Sequence, residues 1–127
     1  MNIGNLFQTG DWKNEKHSPV IEILEKKDDK ITVRVSVGKE IPHPNTTEHH
    51  ISWMEVYFLP EGEKFTHHLG RFDLSAHGAS SQGANTSTVY TEPNIVFTFK
   101  SQKGGKLFAS SFCNIHGLWS NSLEFKI

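Results

Sequence analysis

The segment KITVRVSVG, residues 30–38, decides the fold class because its side chains alternate between apolar and polar. The apolar side chains are Ile31, Val33, Val35 and Val37, and the polar ones between them are Thr32, Arg34 and Ser36. Successive side chains of an extended strand point to opposite faces, so this alternation predicts a strand with one buried face. No helical repeat of the apolar residues competes with this interpretation.

The same alternation dominates the chain from residue 19 onward, and it predicts an all-β protein. Six further strands are predicted, at residues 20–25, 50–59, 65–76, 95–100, 106–112 and 122–127. Turn-forming residues separate them, including a Gly-, Ser- and Asn-rich stretch at 78–87 that we interpret as a long surface loop. Seven short strands spaced in this way favour an immunoglobulin-like β-sandwich, and we expect residues 1–127 to form one domain.

Composition and charge exclude several classes of function. Thirteen Lys and Arg against fourteen Asp and Glu give a net charge of −1, so a nucleic-acid partner is not expected. The longest apolar run, at residues 56–59, is far shorter than the roughly 18 to 20 residues that cross a bilayer. The first ten residues also lack the features of an export signal. We therefore expect a cytoplasmic protein with no membrane partner.

Cys113 is the only cysteine, so neither an internal disulfide nor a four-cysteine metal site can form within the chain. His116 follows it by three residues, just after a predicted strand, where a tight turn would bring both side chains to one point. This pattern alone is more typical of a buried cysteine beside a surface histidine. The chain nevertheless contains eight histidines, and histidine is the commonest metal ligand.

A second group of histidines follows the strand at residues 30–38. His43 lies between two prolines, which hold its backbone extended and present its imidazole. His49 and His50 are neighbours and face opposite sides of a strand, so at most one of them can share a site with His43. We assign His50 to the far face, which leaves His49 beside His43.

A third group precedes the first strand and contains Glu15, Lys16 and His17. All three groups lie in loops or at strand ends, which gather at the ends of a small sandwich. Several imidazoles with one thiolate suit copper, iron or zinc, and they do not suit calcium or magnesium. We interpret the site as redox-active iron. The remaining histidines, His67, His68 and His77, are interpreted as ordinary strand or surface residues.

Five motifs of the chain resemble those of the superoxide reductases, in the one-domain form known as neelaredoxin, which is related to the iron-binding domain of desulfoferrodoxin. They are GDWKNEKHSP at 10–19, VGKEIPHPNTTEHHI at 37–51, YFLPEGE at 57–63, NTSTVYTEP at 85–93 and CNIHGLW at 113–119. The resemblance therefore runs along nearly the whole chain. It implies a seven-stranded immunoglobulin-like sandwich with one mononuclear iron, bound by four equatorial histidines and one axial cysteine.

The resemblance also implies a role for each candidate residue. The equatorial ligands would be His17, His43, His49 and His116, and the axial ligand would be Cys113. Glu15 would be able to take the sixth position of ferric iron, and Lys16 would lie near the open site. The implied reaction converts superoxide, one electron and two protons to hydrogen peroxide, in a homotetramer that takes its electron from rubredoxin or a similar donor.

Two other classes of protein stay open at this point. A blue-copper electron-transfer protein is also a β-sandwich with a Cys and a His close together near its end, but it usually has an axial Met soon afterwards. The only methionines here are Met1 and Met54, and neither follows His116. The second alternative is a closed zinc site in a structural or binding module.

Overall fold

The structure is a computed structural model that describes residues 1–127. After a short 3-10 turn at Ile3–Leu6 it contains seven strands: β1 Val20–Lys27, β2 Lys30–Ser36, β3 Ile51–Pro60, β4 His67–Asp73, β5 Asn94–Lys100, β6 Gly105–Cys113 and β7 Gly117–Phe125. One sheet has the order β1-β2-β5 and the other β4-β3-β6-β7, with antiparallel pairing throughout. The predicted all-β, seven-stranded immunoglobulin-like sandwich is confirmed. No helix has the length and apolar character needed to span a membrane.

The predicted strand boundaries hold to within a few residues except at β7. That strand begins at Gly117 and not at residue 122, because the chain reverses within a few residues of Cys113. Gly117 has a φ of +79°, which a residue with a side chain rarely adopts, and it pairs directly with Cys113 across the hairpin. The tight turn places His116 immediately beside the end of β6.

The alternating segment packs as its pattern predicts. Ile31, Val33 and Val35 are almost completely buried between the sheets, where Val56 of β3 and Leu107 of β6 belong to the same core cluster. Burial of each such side chain stabilises the fold by about 1.5–3 kcal/mol. The two sheets are therefore held together along β2, β3 and β6.

The two ends of the core differ in chemistry. At one end the rings of Phe58, Phe99 and Phe125 pack together, with centroids 5.2 to 6.4 Å apart. The pairing of β3 with β6 runs from this end to Cys113, which is fully buried and closes the core at the other end. The candidate ligand Cys113 therefore lies at the end of the core opposite the phenylalanine cluster.

Two irregular features shape that end of the sandwich. The register of β3 against β6 shifts between Ile51 and Trp53, a bulge of the kind found beside functional sites. After β2 the chain turns back at Gly38, where φ is +88° and an added Cβ would lie 2.8 Å from the backbone nitrogen of His43. Only glycine allows this close approach, which brings His43 to the end of the sandwich.

Candidate metal centre

Four histidine rings form a closed ring at the Cys113 end of the sandwich. The centroid separations of neighbouring rings are 4.8 Å for His17–His43, 4.9 Å for His43–His49, 5.1 Å for His49–His116 and 4.8 Å for His116–His17. The Cys113 Sγ atom lies 3.7 Å from Nδ1 of His116. One potential ligand atom from each of His17, His43, His49 and Cys113 falls within 4.8 Å of the others. The structure thus brings together all five residues that the sequence predicted as ligands.

Two atoms of this group lack any partner within the protein. The Nε2 atoms of His43 and His49 are buried and form no hydrogen bond. A buried polar atom left in this state costs about 1–3 kcal/mol. A metal ion that accepted both lone pairs would remove that cost, and imidazole nitrogens with a thiolate are donors that transition metals prefer. The residues present therefore fit a transition-metal ion.

The imidazole of His43 is held in the form that binds metals. Its Nδ1–H donates to the carbonyl oxygen of Pro44 at 2.6 Å, which leaves the lone pair on Nε2. Burial lowers the pKa of His43 to about 4. Burial and, after it, the nearby His116 also lower the pKa of His49. The neutral ring, which binds metal without first losing a proton, is thereby favoured at both positions.

His17 is oriented by a carboxylate. Its Nδ1–H donates to Glu15, whose second carboxylate oxygen accepts the backbone N–H groups of His17 at 2.6 Å and Ser18 at 2.8 Å. The opposite ring nitrogen, Nε2, then lies 3.2 Å from Nδ1 of His116. Burial alone would raise the pKa of Glu15. Its hydrogen bonds to His17 and Ser18 together lower the pKa by more than burial raises it, so the net pKa is below its ordinary value and the carboxylate stays ionised.

The position of Glu15 bears on its predicted role. Its carboxylate binds the outer nitrogen of His17 and not the inner space of the histidine ring. To act as a sixth ligand, this carboxylate would have to exchange its bonds to His17 and Ser18 for a bond to the metal. Lys16 directly precedes His17 in the chain and is partly exposed, and its positive charge is a minor cause of the lowered pKa of His43 and His49, after burial.

The sulfur atom is held by the turn that follows it. The backbone N–H of His116 donates to Cys113 Sγ at 3.3 Å. Hydrogen bonds of this kind tune both the basicity of a ligand and the potential of a bound metal. His116 as a residue is exposed to solvent, unlike the buried His17.

Sequence reasoning missed two residues that support the ring. The Trp119 indole stacks on His17 at 4.7 Å between centroids, and its Nε1–H donates to the carbonyl oxygen of His116 at 3.2 Å. The Ser111 hydroxyl donates to the carbonyl oxygen of His17 at 3.1 Å. Trp119 lies in the motif CNIHGLW and could have been suspected, whereas Ser111 has no local pattern that distinguishes it.

Comparison with known proteins shows the family to which the chain belongs. A family model described as desulfoferrodoxin matches residues 9–122. The chain belongs to the desulfoferrodoxin family. The residues matched by the family model include all five members of the site.

Relatives within the desulfoferrodoxin family cover almost the whole chain. The superoxide reductase of Pyrococcus furiosus is 58% identical over 98% of this chain and 99% of its own. The neelaredoxin of Megalodesulfovibrio gigas is 52% identical over 96% of this chain and 95% of its own. Among solved structures, the reduced superoxide reductase (neelaredoxin) of Archaeoglobus fulgidus is 60% identical, with a TM-score of 0.94 over 96% of this chain and 99% of that one.

The buried state of His43 predicts how the metal-free protein responds to acid. His43 takes up a proton near pH 6.5 in the unfolded chain but only near pH 4 in the folded one. Between these values the unfolded state binds more protons, so stability falls as the pH is lowered from about 6.5 to about 4. Melting temperatures of chelator-treated protein across this range measure the effect.

A matched pair of variants isolates the contribution of His43. We expect His43→Gln to flatten this pH dependence, whereas His67→Gln, at an exposed histidine of β4, should leave it unchanged. An equally steep dependence in His43→Gln would contradict the prediction.

Proposed function

We propose that this protein is a superoxide reductase, which reduces superoxide by one electron to hydrogen peroxide at a single bound iron ion. The observation that carries the proposal is the closed ring of four histidines beside a buried cysteine, in a chain 58% identical to a protein named superoxide reductase. The reaction balances as one superoxide, one electron and two protons for each hydrogen peroxide. We propose His17, His43, His49, His116 and Cys113 as the ligands.

Iron bound at this site would change between the ferrous and ferric states and so supply the electron. The protein would hold the ion with four imidazoles and the Cys113 thiolate, and the thiolate would favour electron donation. Five protein donors leave room for one small anion.

Lys16 and Glu15 have separate roles in this proposal. Lys16 provides a positive charge near His43 and His49, which attracts the superoxide anion to the site. Glu15 orients His17 through the hydrogen bond to Nδ1 and is also proposed as a sixth ligand of ferric iron after peroxide has left.

The two alternative sites fit the structure less well. A blue-copper site has two histidines, one cysteine and a weak axial methionine, whereas here four histidines surround the site. Met54 is buried in the hydrophobic core and Met1 is fully exposed at the terminus. A structural zinc site is closed and usually has four ligands, but five donors meet here.

We further propose that residues 1–127 act as one iron-binding domain in a cytoplasmic homotetramer, reduced by rubredoxin or a similar external donor. An apolar groove of about 450 Å³ supports self-association. It lies on the outer face of the four-stranded sheet, and Ile3, Phe7, Trp53 and Leu118 contribute to its lining. Each superoxide reduced leaves the iron one electron short, and we propose that an external donor returns that electron.

The central test is an anaerobic reaction of the reduced protein with a pulse of superoxide. We expect about one iron per chain, a sulfur-to-iron band that responds to oxidation, and one peroxide formed per iron oxidised. Cys113→Ser should lose that band. Copper or zinc as the bound metal, or an iron protein that does not react with superoxide, would overturn the proposal.

The role of Lys16 predicts a rate that depends on charge. Lys16→Glu should lower the second-order rate constant for superoxide by roughly tenfold at low salt, because steering of this kind changes association rates by 10-fold or more. The difference should shrink as salt rises and screens the charge. Stopped-flow measurements over a range of ionic strength check this.

The control for Lys16 carries the same change of charge at the opposite end of the sandwich. Lys106 is exposed and pairs with Leu59 near the aromatic end of the core, far along β6 from Cys113. Lys106→Glu should leave the rate nearly unchanged. Equal slowing in both variants would show that net charge, and not the position of Lys16, matters.

The proposed double role of Glu15 predicts a spectroscopic change. Glu15→Ala should alter the absorption spectrum of the ferric protein while most of the activity remains, because the carboxylate is not proposed as a proton donor. Glu22→Ala, which removes a carboxylate of β1 that pairs with Lys39, is the control. An unchanged ferric spectrum in Glu15→Ala would overturn the proposed role of Glu15 as a sixth ligand.

A further inference from the structure

The loop that carries His43 and His49 is held from outside by a second segment. We call residues 43–50 the ligand loop and residues 74–91 the brace. The brace contributes none of the proposed ligands, yet several hydrogen bonds connect it to the ligand loop. The Thr47 hydroxyl donates to the carbonyl oxygen of His77 at 2.6 Å, and the Thr47 backbone N–H donates to Asn85 Oδ1 at 2.9 Å.

His77 forms the most buried of these connections. Its side chain is only 7% exposed, although the sequence suggested an ordinary surface or strand histidine. Nδ1 lies 2.8 Å from Oδ1 of Asn45 in the ligand loop, and Nε2 lies 2.5 Å from the carbonyl oxygen of Leu74 in the brace. The Asn45 Nδ2–H donates to Thr91 at 3.0 Å, which turns the Asn45 oxygen toward His77. The imidazole therefore lies between the ligand loop and the brace, with one ring nitrogen close to an oxygen of each.

A stacked partner extends this contact to the cysteine turn. The rings of His50 and His77 lie parallel, with centroids 3.5 Å apart and 4° between their planes. The backbone N–H of His50 donates to Oδ1 of Asn114 at 2.8 Å, and Asn114 directly follows Cys113. His77 is thus packed against the residue that joins the ligand loop to the turn after the sulfur ligand.

The brace itself is fixed on both sides of His77. The Leu74 N–H donates to Ser52 in the bulge of β3 at 2.9 Å. On the other side Gly78 has a φ of +83°, and the Tyr90 ring packs so closely that an added Cβ at Gly78 would lie 2.4 Å from its Cζ atom. The imidazole of His77 is therefore presented to Asn45 from a rigid support.

We propose that His77 is a positioning residue of the metal centre, which sets the ligand loop through its Nδ1 contact with Asn45. This inference rests on the proposed function in that the ligand loop must bind a metal. The two buried Nε2 atoms of His43 and His49 need a fixed separation to bind one ion, and both lie in a loop without strand pairing. Substitution of residues that orient ligands typically costs 10–100-fold in metal affinity.

Two substitutions at His77 separate its two contacts. In His77→Asn the side-chain amide can take the place of Nδ1 and keep the bond to Asn45. In His77→Gln the longer side chain can take the place of Nε2 and keep only the bond to Leu74. A role in general packing would be affected similarly by both changes, whereas the proposed role requires the Asn45 contact.

The probe is Co²⁺, which is coloured at cysteine-containing sites and needs no redox reaction. Its affinity is measured by competition with a chelator, and its visible spectrum reports the arrangement of the ligands. We expect His77→Gln to bind Co²⁺ about 10–100-fold more weakly than wild type, with shifted absorption bands. His77→Asn should bind close to the wild-type affinity with the wild-type spectrum, as should the control His67→Gln at an exposed histidine.

Each contrary result has a distinct meaning. Wild-type affinity and spectrum in His77→Gln, or equal losses in the Gln and Asn variants, would overturn the positioning role alone. A wild-type protein that binds Co²⁺ but does not reduce superoxide would overturn the proposed function alone. A wild-type protein that binds no Co²⁺ at Cys113 would overturn both.

A second variant keeps the test decisive if His77→Gln folds poorly by circular dichroism. Asn45→Leu removes the same contact from the side of the ligand loop and leaves the His77 bond to Leu74 in place. Because it also removes the Asn45 bond to Thr91, it should weaken Co²⁺ binding at least as much as His77→Gln. Wild-type affinity in a folded Asn45→Leu variant would overturn the proposal.

Discussion

The convergence of one sulfur atom and four imidazole rings at the end of a dry core is the constraint on which the rest of the structure depends. The free protein leaves the buried Nε2 atoms of His43 and His49 without partners, which opposes folding. An ion that binds the folded state alone shifts the equilibrium toward it by mass action. A metal ion bound by these residues would therefore couple its binding to folding and stabilise the folded chain.

The sandwich supplies this convergence by making its two ends unequal. Aromatic packing around Phe58 fills the core at one end, and Cys113 closes the other as the last buried residue of β6. The bulge after Ile51 and the tight turn at Gly117 then lie beside the sulfur. Cys113 therefore belongs both to the core and to the candidate site. A shift in the register of β6 would displace its thiolate from the histidines.

Sequence reasoning predicted the sheets because alternation is a local signal. In residues 30–38 the polarity of each side chain indicates whether it points to the core or to solvent. It predicted the members of the site because prolines, motif spacing and family resemblance mark His43, Cys113 and His116. It did not predict Ser111 or His77, since their roles depend on which loops meet across the end of the sandwich. Asn45, between two marked histidines, gave no sign that its amide would be shared with a residue more than thirty positions away.

The proposed ligands differ in the kind of contact that fixes their positions. Cys113 ends a paired strand, and His17 is held by Glu15, by Ser111 of β6 and by stacking on Trp119. His43 and His49 lie in a loop, so their separation depends on contacts to residues 74–91 and not on a sheet ladder. A loop held by side-chain hydrogen bonds can be adjusted by single substitutions without altering the core. The affinity of the site can therefore change independently of the fold, whereas the sulfur position cannot.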